Sequence, residues 1–374
     1  MKLKALASLL PSLHEVEGGQ GRLAKLVITA GGFEGRAGAV FENFHCEREG
    51  RALVLRYLPE DPRNRLREVI QAARDAGFRV GPADIIEFAR LSPDGFFDNL
   101  RLRLEKLEAR ELIIDVSAMS KMAIFICLEV AREMGLDVVI FYAEAAEYGP
   151  SREQYRGAQL EGKILQPTIQ VMVGVLGVVR VSHLSSVAMQ GQPTAAIAFM
   201  SFNELLVQAL IDAVCPGRLF LINGRPPERS WREEATAWIH DILRREWPEM
   251  DNPTAGVGEE GVSLPVRSVS TLVYTETCLT LLELYWKLAV DHRIVLAPTG
   301  SKMQTVGCFF VKGLHPDIHI EYPTPKGFLP SYSNGVGRRW ISAAFNGLAL
   351  LGELRRKERA AMMSVIEPTS GGGS

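Results

Sequence analysis

The residue types best suited to chemistry fall in one short stretch, Ala297-Pro298-Thr299-Gly300-Ser301-Lys302-Met303-Gln304. It follows an apolar run, Ile294–Leu296, that reads as a strand, and it opens a segment that reads as a helix. Pro298 ends the strand ladder, because proline donates no hydrogen bond. Gly300 can adopt a positive φ and lets backbone approach a ligand closely. The amides of Ser301, Lys302 and Met303 would then face outward from a helix N-terminus, where an anion is favoured. Ser301 adds a hydroxyl and Lys302 a compact positive charge. This loop suits a phosphate or a nucleotide, with Thr299, Gly300, Ser301 and Lys302 as its binding residues. It is not a Walker A loop, since the GxxxxGK[ST] frame is missing. The structural alternative is that Ser301 caps the helix and Lys302 is solvated.

Three further loops carry usable groups. Ser117-Ala118-Met119-Ser120-Lys121-Met122 follows a strand ending in Asp115. Asp115 could orient a ligand hydroxyl or a basic side chain, with Ser120 and Lys121 beside it. A capping serine and a structural aspartate explain the same residues equally well. The turn Ala30-Gly31-Gly32-Phe33-Glu34-Gly35-Arg36 is glycine-rich and directly follows a strand. Gly32 and Glu34 could meet a ligand there, or Glu34 and Arg36 could pair with each other. The turn lacks the GxGxxG dinucleotide fingerprint. In the loop from Tyr322 to Trp340, Tyr332 could stack on a base and Arg338 could meet a phosphate. A long surface loop with a helix cap is the alternative.

Other chemistries find little support. His315 and His319 flank Asp317, and His292 lies in a turn. No Ser-His-Asp order stands out, and there is no HExxH. Five scattered cysteines form no CxxC, which suggests buried free thiols in a reducing cytoplasm. No metal site and no cofactor are expected. The net charge of −2, from 42 basic and 44 acidic residues, argues against a protein that coats DNA by bulk charge. Arg63, Arg65 and Arg67 read most simply as a solvated face. The longest apolar stretch, Ile169–Val179, is shorter than the ~20 residues of a membrane span and reads as strand. No secretory leader is expected at the N-terminus, and no membrane association. The Ser370–Ser374 tail reads as flexible.

The elements that must position these loops emerge when the chain is compared with itself. Leu26–Phe44 resembles Ala196–Ala209, with Phe33 matching Phe202, and Leu53–Pro59 resembles Leu219–Pro227. At an offset of 181, Ser120-Lys121-Met122 falls on Ser301-Lys302-Met303. At 180, Tyr142 falls on Tyr322 and Pro150-Ser151 on Pro330-Ser331. The second copy carries a polar, glycine-rich insertion at Asn252–Val262. Each unit alternates short apolar runs with amphipathic segments such as Arg63–Ala76, which predicts α/β units with mostly parallel sheets. The expected fold is two tandem Rossmann-like units related by internal duplication. They span residues 1–162 and 196–340, joined by a Val-rich connector over 163–195. A C-terminal helix and tail follow over 341–374, the helix reading as Arg338–Met363.

The loop APTGSKM resembles the lysine-bearing motif of CARF domains, the CRISPR-associated Rossmann folds, which often carry a TGGTK-like sequence at this place. Thr299, Gly300 and Lys302 match that pattern, and Ser301 replaces a threonine. The resemblance implies domains that act in pairs, with a cyclic oligonucleotide lying across their cleft. A tandem duplication would supply both halves. It also implies a sensor in a prokaryotic antiviral defence system that signals to an effector protein partner. Two alternatives remain. One is a metal-independent phosphodiesterase of the ring-nuclease kind, with Ser301 and Lys302 as its catalytic candidates. The other is a non-catalytic assembly subunit of a defence complex. The halves could pair within one chain or across a homodimer.

Overall fold

The structure, a computed structural model, describes all residues except 1–3, 20, 162–170, 203, 229, 247–266 and 367–374. The expected insertion at Asn252–Val262, the Ser370–Ser374 tail and the first part of the connector lie outside the described residues.

Short runs of Val, Ile and Leu become strands covered on both faces, as expected for parallel sheets. In the first half these are β2 (Arg22–Ala30), β3 (Phe44–Leu58), β4 (Ile85–Ala89), β5 (Glu111–Asp115) and β6 (Asp137–Ala143). They pair in parallel in the order β4-β3-β2-β5-β6. In the second half β9 (Thr194–Phe199), β10 (Arg218–Arg225), β11 (Ser268–Ser270), β12 (Arg293–Ala297) and β13 (His319–Ile320) pair in parallel as β11-β10-β9-β12-β13. The order is the same in both. Each half lays down a first strand, adds two on one side, then crosses over to add two on the other. Each sheet therefore has a crevice where the chain changes direction, between β2 and β5 and between β9 and β12.

Helices α2 (Leu66–Asp75), α3 (Asp94–Lys106) and α4 (Lys121–Glu133) connect the first set of strands. Helices α6 (Glu204–Val214), α7 (Ser230–Glu246), α8 (Tyr274–Leu288) and α9 (Lys302–Leu314) connect the second. Nine of the 13 residues of α4 and 11 of the 13 of α9 are buried, so neither presents a broad polar face to water. The two pack on each other, with the Phe125 and Phe309 rings edge-on at 6.3 Å. One continuous apolar core runs from Ile28 and Ile114 through α4 and α9 to Ile197 and Leu296. The halves share this core.

The remaining elements are short: α1 (Lys4–Ala7), β1 (Leu13–Val16), β7 (Glu147–Tyr148), α5 (Arg152–Leu160), β8 (Val175–Val179), β14 (Tyr322–Pro325) and β15 (Ser333–Asn334). The chain end departs from expectation. Arg338–Met363 is not one helix. β16 (Arg339–Ser342) inserts antiparallel between β1 and β6, and β17 (Phe345–Asn346) also pairs with β6. The final helix, α10, spans Gly347–Ile366. The reason is the exposed edge of β6, whose backbone groups need partners. The β16 segment supplies them, buries Ile341, and uses the Ser342 hydroxyl to accept the Ile140 amide at 2.9 Å. The expected boundary between residues 340 and 341 thus falls inside a strand of the first sheet.

Truncating Phe309 to alanine should cost about 3–5 kcal/mol, the usual penalty for emptying a buried phenylalanine site. Because the core is shared, urea unfolding followed by tryptophan fluorescence and by far-UV circular dichroism should shift together as one transition. Two transitions, of which the substitution moves only one, would contradict the shared core.

Candidate functional site

The carboxyl ends of both parallel sheets open on one cavity of about 470 Å³. Its wall takes the turns after β2 and β9, the ends of β3 and β10, and the junctions β5–α4 and β12–α9. The two halves therefore face each other within one chain. Of the residues singled out in the sequence, Thr299, Gly300, Ser301, Lys302, Gly32, Glu34, Ser120, Lys121, Tyr332 and Arg338 line this cavity. Asp115 does not. It is buried below the wall, where its carboxylate accepts the Thr29 hydroxyl at 2.7 Å and the Ser117 amide at 3.0 Å. Burial raises its pKa.

The β12–α9 junction is tied inward. The Thr299 hydroxyl donates to the Phe199 carbonyl at 2.6 Å and accepts the Phe199 amide at 2.8 Å, pinning β12 to β9 at their ends. Ser301 and Gln304 form a capping box. The Ser301 amide donates to Gln304 Oε1 at 2.7 Å, and the Gln304 amide donates to Ser301 Oγ at 3.0 Å. The Ser301 hydroxyl itself donates to the Thr271 carbonyl at 2.6 Å. Its amide and hydroxyl are therefore engaged within the protein. Gly300 does not adopt a positive φ. It is needed for space: a Cβ there would lie 2.1 Å from Gln304 Oε1 and 2.8 Å from Phe199 Cβ. The box also fixes the Gln304 amide, leaving its Nε2 buried in the cavity wall without a partner.

The β5–α4 junction is closed in a similar way. Ser120 caps α4 by accepting the Ala123 amide at 3.2 Å, and its own amide donates to the Tyr57 hydroxyl at 2.7 Å. The Lys121 backbone amide acts to lower the pKa of the Tyr322 hydroxyl. Burial raises the pKa of both phenols. Gly32 packs against this junction, since a Cβ would come within 2.8 Å of the Ala118 carbonyl.

Lys302 is not solvated. It reaches across to the first half, where Nζ donates to Glu34 Oε1 and to the Met119 carbonyl, both at 2.9 Å. Glu34 and Arg36 do pair. Arg36 Nε and Nη2 donate to Glu34 Oε2 at 3.0 and 2.6 Å, and the Ser333 hydroxyl donates to the same oxygen at 3.1 Å. Burial alone would raise the Glu34 pKa. The Arg36 and Lys302 charges overcome that and hold it at about 2. For Lys302 burial wins over Glu34, and its pKa is lowered.

Lys121 is different. Its Nζ makes no hydrogen bond or ion pair with any described residue, and its neighbour is the Tyr322 ring, 6.0 Å away. Burial, then the Lys302 charge, push its pKa down to about 7. Also in the cavity wall, Tyr332 packs on Phe328 at 4.3 Å and Phe33 at 6.2 Å. Arg338 is met by Glu144 at 3.1 Å and Glu228 at 2.6 Å.

Sequence reasoning missed two residues that brace the site. Arg63, read as part of a solvated face, lies 4.9 Å from the Phe33 ring and donates to the Phe328 carbonyl at 2.6 Å. Arg232 lies 4.6 Å from the Phe202 ring. It donates to the Tyr148, Pro150 and Gly149 carbonyls at 3.0, 3.0 and 2.8 Å. The signal was present: Phe33 and Phe202 are 169 residues apart, and so are Arg63 and Arg232. Each arginine holds the loop of the opposite half, at positions 180 apart, Phe328 and Tyr148.

A lysine whose folded pKa lies below its unfolded value makes stability rise with pH between the two, because the unfolded chain then binds more protons. For Lys121 that window runs from about 7 to 10.5. Urea denaturation across it should show wild type gaining stability over Lys121→Met as pH rises. A difference that stays flat would contradict the environment described for this amine. No protein-family model matches the chain and no curated protein matches its sequence, so the site's own chemistry carries the functional argument.

Proposed function

We propose that the two halves are duplicated Rossmann-like units, and that the cavity between them binds a nucleotide or cyclic oligonucleotide. In this reading the protein is a sensor that passes the signal to an effector partner, in the manner of the CARF domains whose lysine motif it resembles. One observation carries the reading. Lys121 and Lys302 occupy the same place in the two halves, each at the start of the helix after the fourth strand, and both enter one cavity. The common strand order, the two capping serines and the paired arginines support duplication. Ligand sites of parallel sheets form at such switch points. The lysines suit phosphate, and the Phe33, Phe202 and Tyr332 rings suit a base. An antiviral role rests on the family resemblance.

A phosphodiesterase is the second reading, favoured by Lys121. An amine that titrates near neutrality in a cavity is suited to move a proton. Ser301 is a poor candidate for such work, because its hydroxyl is committed to the Thr271 carbonyl.

The test is a thermal-shift screen of nucleotides and cyclic oligoadenylates, with mass spectrometry of small molecules released on denaturation. A ligand at 100 times its Kd should add about 2.7 kcal/mol of stability. The double variant Lys121→Met/Lys302→Met should abolish the shift. If no nucleotide stabilises the wild type, the sensor reading is wrong. Linear products accumulating from a cyclic oligoadenylate, and lost in Lys121→Met, would establish the enzyme instead.

A further inference from the structure

The positive charge available in the cavity is unevenly placed, and the inference drawn from this rests on the nucleotide-binding reading. Lys302 spends two of its three N–H donors on Glu34 and the Met119 carbonyl. Its cluster, two cations around one carboxylate, keeps a single net positive charge shared with Arg36. Arg36 is bonded to Glu34, the Ala143 carbonyl and the Tyr148 hydroxyl. Arg338 is met by two carboxylates. Arg232 holds three carbonyls.

Two cations stand apart, both on the first-half side. Lys121 Nζ makes no hydrogen bond or ion pair with any described residue, and the Glu34 charge acts on it without a bond. Arg90 makes only long bonds, 3.4 and 3.3 Å, to the Pro325 and Lys326 carbonyls, and its Nε is buried with no partner. Both act on Tyr322: Lys121 lies over its ring, and the Arg90 charge lowers the pKa of its hydroxyl. Asp61, whose field also feels Arg90, is held through both oxygens by Arg63. In the second half Glu204, buried at the start of α6, is shifted by one residue from the position that would match Glu34. At the offset of 169 the matching position is Asn203, which carries no charge and lies outside the described residues.

We propose that the cavity takes a ligand with one anionic end, a phosphomonoester such as a mononucleotide, seated between Lys121 and Arg90 beside Tyr322. A two-fold symmetric ligand held equally by both lysines is not what this arrangement fits. An arriving phosphomonoester would give an acceptor to Lys121 Nζ and to the unpaired Arg90 Nε, and charge-assisted bonds of this kind are the strong ones. A second anionic group at Lys302 would have to compete with Glu34, which is already seated and fully ionised at neutral pH.

The experiment is isothermal titration of wild type, Lys121→Met, Arg90→Met and Lys302→Met with adenosine monophosphate, ribose 5-phosphate and cyclic di-adenosine monophosphate. Lys302→Met leaves Glu34 paired with Arg36, and circular dichroism verifies the fold of each variant. Lys121→Met and Arg90→Met should each weaken the monophosphate at least tenfold, about 1.4 kcal/mol. Lys302→Met should weaken it less than threefold. An equal loss in Lys302→Met and Lys121→Met overturns the proposal, and so does tighter binding of the cyclic ligand than of the monophosphate by the wild type. Binding of ribose 5-phosphate without adenosine monophosphate would refute the nucleotide reading while upholding the single-anion site. Failure of both monophosphates to bind would overturn the site itself.

Discussion

A single buried carboxylate, Glu34, holds one cation from each half of the molecule. Arg36 comes from its own turn and Lys302 from the far side of the cavity. In water such pairs contribute little, but here the side chains of Glu34 and Lys302 are only 6% and 12% exposed. Removing Glu34 would leave both cations uncompensated, a loss that for a buried pair typically costs about 3–5 kcal/mol. The same carboxylate accepts Ser333, so the long loop after the second sheet is fixed to the turn after β2. Much of the cavity's geometry follows from this one group. It sets how closely the turns approach, and it removes Lys302 from the list of freely available cations.

The architecture explains why charge recognition falls to side chains here. Parallel sheets place helix N-termini around their carboxyl ends, and open N-termini attract anions. In this protein both relevant helices are capped from within. Ser301 and Gln304 close α9, while Ser120 and the Tyr57 hydroxyl close α4. The Ser301 and Gln304 amides of α9 and the Ser120 and Ala123 amides of α4 are engaged in these caps, so lysine and arginine side chains add most of the charge offered to an anion. Burial then decides how much charge those groups carry. Lys302 is bonded to Glu34 and Lys121 is not; burial and the Lys302 charge, partly offset by Glu34, bring the pKa of Lys121 to about 7.

Much of this was legible in the sequence, and what was not has physical causes. The alternation of apolar runs with helical segments predicted parallel strands, because burial on both faces demands continuous apolar residues. The shared Ser-Lys-Met located the two helix starts, and the structure caps both with the serine. The capping box was also readable, as Ser301 followed three residues later by Gln304; a loop read for its ligand chemistry hid its local chemistry. Gly300 was singled out for the wrong reason, since its constraint is a neighbour's proximity and not backbone angle. Arg63 and Arg232 could not be read locally at all, because their acceptors are carbonyls contributed by the opposite half. The strand β16 was hidden for the same reason. Its pairing partner lies about two hundred residues earlier, at β6.

A pair of halves joined in one chain can diverge in ways that two identical subunits cannot. In a symmetric homodimer a carboxylate that neutralises one lysine must neutralise its twin, and the site is either open twice or closed twice. On the proposed duplication, this chain keeps the mechanical pairs, each arginine braced by a phenylalanine and holding the other half's loop. The electrostatic pairs are not kept. Glu34 stands in the first turn where the second has asparagine with its glutamate, Glu204, one residue further on, and Gln304 caps α9 where α4 has Ala123. Bracing works best when it acts from both sides, so the matched arginines keep the loops in place around the cavity. Recognition of a ligand with distinct ends needs the reverse, one wall with free charge and another with its charge already spent. The two kinds of contact therefore follow different symmetry within the same cavity.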